Sequence, residues 1–282
     1  MRLAAVTMVY DEPEFLPIWL AHYGREVGTA HCYVIDHGSD DGSTERLGLA
    51  SRIRLPRSAH DDERRARFVS GFCADLLGYY DAVIHTDVDE IVLADPALAP
   101  GLADYAMPAE TITAIGLNLH HLPGIEPDFD RTRPVGAQRR WVRFAAALCK
   151  PVLTGRPLRW VPGFHCADAP LRFDSLYLIH LRWFDLALGL RRLARTRVMP
   201  WADPEAGAWQ RCTDEEMRRS YAAIAGLPRR ESALDPAAEP LANALARVVA
   251  SQRGRENERY RIDLSLSVDE LWSLPARLAE RF

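Results

Sequence analysis

Lysine is nearly missing. All but one of the 35 Lys and Arg residues are arginine, and Lys150 stands alone. Where a chain otherwise chooses guanidinium groups, one retained ammonium suggests that a compact point charge is wanted there; an accident of composition is the rival explanation. Positive charge is not in excess either. A net charge of −4 leaves no general nucleic-acid footprint, so no nucleic-acid partner is expected. Paired cysteines are absent: Cys32, Cys73, Cys149, Cys166 and Cys212 are scattered, with no CxxC. That argues against a zinc framework or a disulfide scaffold, and for small buried thiols in a reducing compartment. No stretch approaches the roughly 20 apolar residues of a membrane helix. The opening Met-Arg-Leu-Ala-Ala-Val-Thr-Met-Val-Tyr-Asp reaches an acid too soon for a secretory leader. A cytoplasmic location is expected.

What is present fits an ordinary globular chain. With 282 residues, 48% hydrophobic, there is length for one large domain or a domain with a helical appendage. Residues 2–9 form a continuous apolar run of strand length, as in a parallel strand covered on both faces. Pro13 opens a helix with Phe15, Leu16, Trp19, Leu20 and Tyr23 at helical spacing, closing near Gly24 or Gly28. A strand follows at 31–36, then the loop His37-Gly38-Ser39-Asp40-Asp41-Gly42-Ser43-Thr44, leading into a short helix. A strand near 53–55, a helix over 61–78 and a strand before the acids at 87–90 complete a β-α-β-α-β-α-β order. That order predicts a parallel sheet with helices on both faces. Strands are also expected at 111–119, 145–153 and 171–181, and helix from about 183 onward.

Residues 79–93 carry the sharpest chemical signal. The apolar run Ala82-Val83-Ile84 leads into Asp87, Asp89 and Glu90. On a continuing strand Asp87 and Asp89 point to one side and Glu90 to the other. Two adjacent acids repel unless a cation or proton lies between them. A hard divalent ion with room for water and phosphate oxygens suits them. The plainer reading is a solvated strand end. The position favours the ion, because open α/β sheets bind ligands at the carboxyl ends of their strands.

Three elements in order resemble the family 2-like glycosyltransferases of the GT-A fold. They are Val6-Thr7-Met8-Val9-Tyr10-Asp11-Glu12, then Val34 to Thr44, then Asp87-Val88-Asp89-Glu90. The last is similar to the third motif of a bacterial branch, Asp-x-Asp-Glu. Gly163-Phe164-His165 and His180-Leu181-Arg182 are also similar to pieces of that branch. The resemblance covers about residues 3–185. It implies a doubly wound, mostly parallel α/β sheet, a catalytic domain over 1–185 and a helical region over 186–282. It further implies a nucleotide-diphosphate sugar donor, with Val9, Tyr10, Asp11 and Asp36 at the donor, and a divalent ion, Mn²⁺ or Mg²⁺. Many members carry a second Asp after the one matching Asp36; here that place is His37, so uridine is only the first expectation for the base.

Individual residues then take expected roles. Asp87 lies near ribose and metal, and Asp89 is the direct ligand. His165 and His180 are candidates for a further metal ligand, because neutral imidazole completes carboxylate sites; a hydrogen-bonded structural role is the alternative for each. Arg182 suits diphosphate oxygens bidentately, and Lys150 supplies a point charge to donor or acceptor. Asp168, in the loop Cys166 to Pro170, is the candidate catalytic base, with Asp128 and Asp130 as other options. One of His120 and His121 faces the acceptor. The arginine-rich stretch 181–201 reads as a helix packed on the sheet, or as a peripheral membrane contact suited to a lipid-linked acceptor. The function expected is a metal-dependent transferase, moving a hexosyl group to a glycan or glycoconjugate. A nucleotidyltransferase is the alternative, although Tyr10-Asp11-Glu12-Pro13 stands where its phosphate loop belongs. A non-catalytic nucleotide-sugar-binding relative is another.

Overall fold

The computed structural model describes residues 1–256 and 259–282. Its strands are β1 (Leu3–Val9), β2 (Cys32–Asp36), β3 (Ser51–Arg54), β4 (Ala82–His85), β5 (Glu90–Ala94), β6 (Thr111–His120), β7 (Trp141–Phe144), β8 (Pro151–Thr154), β9 (Phe173–His180), β10 (Arg229–Arg230), β11 (Arg253–Glu256), β12 (Arg259–Arg261) and β13 (Leu271–Ser273). The α-helices are α1 (Leu16–Tyr23), α2 (Asp62–Leu76), α3 (Leu186–Val198), α4 (Asp214–Ala225), α5 (Leu241–Ser251) and α6 (Ala276–Ala279).

The chain is α/β. One sheet runs β10-β13-β7-β6-β8-β4-β1-β2-β3, with β9 paired to β6 and β5 to β9. The N-terminal part, β4-β1-β2-β3, is parallel throughout. Beyond β4 the sheet is mixed: β8 is antiparallel to β4 and β6, and β9 is parallel to β6.

The continuous apolar character of β1 has a direct use. Leu3, Ala5 and Val9 pack with Phe15, Leu16, Trp19 and Tyr23 of the α1 region. Ala4 and Val6 pack on the other face with Ala66, Val69 and Cys73 of α2. Both faces are therefore dry, and an alternating polar pattern would bury unpaired groups. Asp61 caps α2, its side chain accepting from the Arg64 amide at 2.9 Å. The cysteines are free, and all but Cys212 are buried.

Several local expectations change. Residues 44–50 form turns rather than a helix. The strand expected over 145–153 is interrupted by a 3-10 turn, Ala146–Leu148, between β7 and β8. β4 stops at His85, and residues 87–90 close a turn with the Glu90 amide donating to the Asp87 carbonyl at 3.0 Å. The chain then runs back as β5, antiparallel to β9. The region 186–282 holds helices but also β10 to β13. Trp272 of β13 is buried in the same core as β1, together with Leu241, Val248 and Leu278.

Candidate functional site

Strand directions bring the informative residues to one edge. β1, β2, β4, β6 and β9 all run toward it, and antiparallel β8 begins there with Lys150 immediately before Pro151. The chain order β1-β2-β3 grows one way from β1, and β4 pairs on its other side. Such a reversal opens a crevice at the carboxyl ends. Here the crevice is a cleft of about 730 Å³. Val9, Tyr10 and His37 line it at the β1–β2 end, and Asp87, Asp89 and Glu90 at its floor. Trp183, Leu193, Met217 and Ile224 form a more apolar wall contributed by α3, α4 and the segment before them.

α1 holds the acidic turn in place. Trp19 Nε1 donates to Thr86 Oγ1 at 2.9 Å, and Tyr23 Oη bridges the Glu90 carbonyl at 3.2 Å and the Val92 amide at 3.0 Å. The turn separates the acids instead of aligning them. Asp87 contacts Arg65, and Lys150 Nζ lies 2.8 Å from its Oδ2. Glu90 turns back beside Asp87: its Oε2 accepts from the Asp87 amide at 3.0 Å, and its Oε1 is 2.7 Å from the same Lys150 Nζ. Asp89 faces elsewhere, in contact with Arg192 and 3.3 Å from His180 Nε2. Arg192 also reaches Glu12 Oε1 at 2.7 Å.

Charge pairing decides the ionisation. Burial alone would raise both aspartates. Arg65 and Lys150 outweigh it at Asp87, and Arg192 and His180 at Asp89, so both stay well below the ordinary carboxylate range. Glu90 is pushed up by burial, with Lys150 opposing and Asp87 reinforcing. Asp87 and Glu90 thus titrate as a pair around one ammonium, Asp87 the more acidic. Burial pushes Glu12 up to about 7.

Among the described residues no three His, Cys, Asp or Glu side chains gather as an ion site. The oxygens that would ligate a divalent ion already face Arg65, Lys150 and Arg192. As arranged, these residues do not fit a metal by themselves.

The other expected residues divide clearly. His180 lines the cleft and its Nδ1 is 2.8 Å from Asn118 Oδ1. His165 also lines it, with Nδ1 2.5 Å from the Ala147 carbonyl; burial pulls its pKa down to about 4. Gly163, at φ +76°, precedes it, and a Cβ there would lie 2.8 Å from the His165 ring. Arg182 lines the cleft and donates to the Trp209 carbonyl, and its buried Nε has no hydrogen-bond partner among the described residues. Asp36 does not line the cleft. It is fully buried and saturated by the Ser39 amide (2.7 Å), Thr44 (3.0 Å), Arg52 (2.6 Å) and Arg54 (2.9 Å). Asp11 also stands back from the cleft; it accepts from the Asp40 amide at 3.1 Å and stabilises the loop. Asp168 lies outside the cleft, its carboxylate held by the Arg159 amide (2.9 Å) and Nε (3.1 Å). Its carboxylate clamps the loop to Arg159, apart from the groups that line the cleft.

Arg57, Arg65, Arg192, Glu12 and Asn118 reach the cleft unannounced. Arg57 lies 3.5 Å above the Tyr10 ring, with Nη1 3.0 Å from His37 Nδ1; its Nε and Nη2 are buried and unpartnered among the described residues. Three arginines of α3 reach acids past the end of β1, with Arg192 the most buried of them. Arg191, Arg192 and Arg195 pair with Glu14 and Glu12, beyond β1. No helix among the described residues is long and apolar enough to cross a membrane.

No protein-family model matches the chain, and no curated protein matches it. Among solved structures it is similar in part to the mannosyltransferase PcManGT from Pyrobaculum calidifontis, in complex with GDP-Man and Mn²⁺. The identity is 17%, the TM-score 0.28, and the likeness covers 43% of this chain. It covers 35% of that chain, so about a third of the mannosyltransferase's length is spanned. The α/β assignment stands on the sheet itself.

Proposed function

We propose that the cleft binds a nucleotide-diphosphate sugar and passes the sugar to a hydroxyl of a glycan or glycoconjugate. The observation carrying this reading is a pair of arginines, Arg57 and Arg182, lining one cleft with buried guanidinium nitrogens that have no acceptor among the described residues. A buried, unpaired donor is costly, and a charged one more so, which favours an anionic ligand. Phosphate oxygens match guanidinium geometry bidentately. The order of the N-terminal motifs points the same way, to a sugar nucleotide rather than a simple phosphate.

In this reading Tyr10 and His37 receive the nucleoside end. Arg57 and Arg182 hold the diphosphate. Lys150, fixed by Asp87 and Glu90, adds a third positive centre. When the bond to the sugar breaks, charge grows on the departing diphosphate. Cations already oriented in a cleft stabilise that charge without reorganising. A divalent ion joins the proposal only as something the nucleotide brings, because the carboxylates present do not form its site alone. UDP-sugars head the donor panel, with GDP-, TDP- and CDP-sugars beside them.

The test is release of nucleoside diphosphate from that panel, with water or added sugars as acceptors. Turnover of one donor, reduced at least tenfold in Arg182→Gln, supports the reading. A panel in which no donor binds or turns over removes it.

A further inference from the structure

We propose that His120 Nε2 takes the proton from the acceptor hydroxyl during transfer. This rests on the sugar-nucleotide reading above. His120 is the last residue of β6, is buried, and lines the cleft. Its Nε2 is buried without a hydrogen-bond partner among the described residues. A buried ring nitrogen left unpaired at a cleft wall points to a group that arrives from outside.

Its place is also right. Asn118 and His120 share one face of β6, roughly 7 Å apart. Asn118 binds His180, and His180 faces Asp89. His120 is therefore the next position along that face from the acidic turn. It lies on the side of Trp183, whose ring is 6.3 Å away and stacked at 27°. Trp183, Met217 and Ile224 give that side an apolar surface on which a pyranose can stack, unlike the arginine-rich donor end.

The step balances simply. The acceptor oxygen forms a bond to the anomeric carbon, and the bond from that carbon to the β-phosphate oxygen breaks. The electron pair leaves with the diphosphate, and the hydroxyl proton moves to Nε2. The reacting tautomer carries its hydrogen on Nδ1. The charged and titratable groups acting on the ring are Arg143 of β7 and His180 of β9. Burial, then Arg143 and His180, hold its pKa down to about 3, so the ring is neutral and its lone pair free. A bound diphosphate adds negative charge and favours the imidazolium that forms. Glu12 also has a buried oxygen without a partner among the described residues, but its other oxygen is engaged by Arg192.

The experiment takes the sugar nucleotide that most raises the wild-type Tm and follows its hydrolysis. The proteins are wild type, His120→Ala, His120→Gln and Glu12→Gln. Both His120 variants are expected to bind the nucleoside diphosphate within about twofold of wild type and to lose hydrolysis by about 10²–10⁴-fold. Concentrated azide, a nucleophile with no proton to give up, is expected to restore turnover as glycosyl azide. Hydrolysis by both variants at the wild-type rate overturns the proposal. So does loss that azide fails to rescue, or loss with rescue in Glu12→Gln instead. Failure of wild type to bind or turn over any donor strikes the sugar-nucleotide reading itself, a result separable from the variants.

Discussion

Lys150 Nζ stands 2.8 Å from Asp87 Oδ2 and 2.7 Å from Glu90 Oε1, buried between them. The only lysine of the chain is thus the shared counter-charge of two carboxylates at the cleft floor. A compact ammonium fits between two acids where a planar guanidinium would have to choose one.

Removing it should leave Glu90 buried beside Asp87 with no cation between them. Lys150→Met is expected to lose about 3–5 kcal/mol of stability, and Glu90→Gln in that background to recover part of it. Urea denaturation measures both. A loss below about 1 kcal/mol would mean that the cluster relaxes freely.

Lys150 depends in turn on a glycine. A Cβ on Gly116 of β6 would lie 2.4 Å from the Leu148 backbone carbon, in the turn leading to Lys150. Gly116→Ala should force that turn away and destabilise by about 1–3 kcal/mol. Gly71, inside α2, has nothing within 4 Å of the added methyl. Gly71→Ala should stabilise by about 0.5–1 kcal/mol. Thermal melts of the two variants should move in opposite directions.

Glu12 sets a pH dependence. Burial pushes its carboxyl from 4.5 to about 7, with Arg192 opposing and Asp89 reinforcing. The folded state then keeps a proton that the unfolded chain has released. Its contribution to stability is present below pH 4.5 and is lost as pH rises toward about 7. In Tm measured across that window, Glu12→Gln should lack this decline, so the wild-type curve falls relative to the variant's. Parallel curves would show that Glu12 titrates normally.

The ion pairs also make a statement about metal. With Arg65 and Lys150 on Asp87, and Arg192 on Asp89, the acids have little free negative charge to attract a cation. Millimolar Mn²⁺ without nucleotide should leave Tm unchanged. A large shift from Mn²⁺ alone would mean that the carboxylates form an ion site unaided.

The parallel half of the sheet was legible because β1 is a continuous apolar run, as a doubly covered strand requires, and strand and helix signals alternate after it. The acidic turn was misread as strand: residues 82–94 hold no Gly or Pro to mark the reversal, and apolar residues resume at once in Ile91-Val92-Leu93. Arg65 and Arg192 were not legible. They reach the acids from helices 22 and 103 residues away, and nothing local separates them from neighbouring Arg64 and Arg191. Asp168 was read as a base from its loop alone, and nothing in that loop shows its partner Arg159, nine residues earlier. Lone Lys150 was legible through composition, because its rarity marked it before any contact was known.

The proposed role of Arg57 and Arg182 is to receive a diphosphate. Titration calorimetry of UDP, GDP, TDP and CDP against wild type, Arg57→Gln and Arg182→Gln tests it most directly. The account expects at least one nucleotide to bind wild type, and its affinity to fall at least tenfold, about 1.4 kcal/mol, in each variant. Binding unchanged in both variants, or no binding of any of the four to wild type, would contradict it.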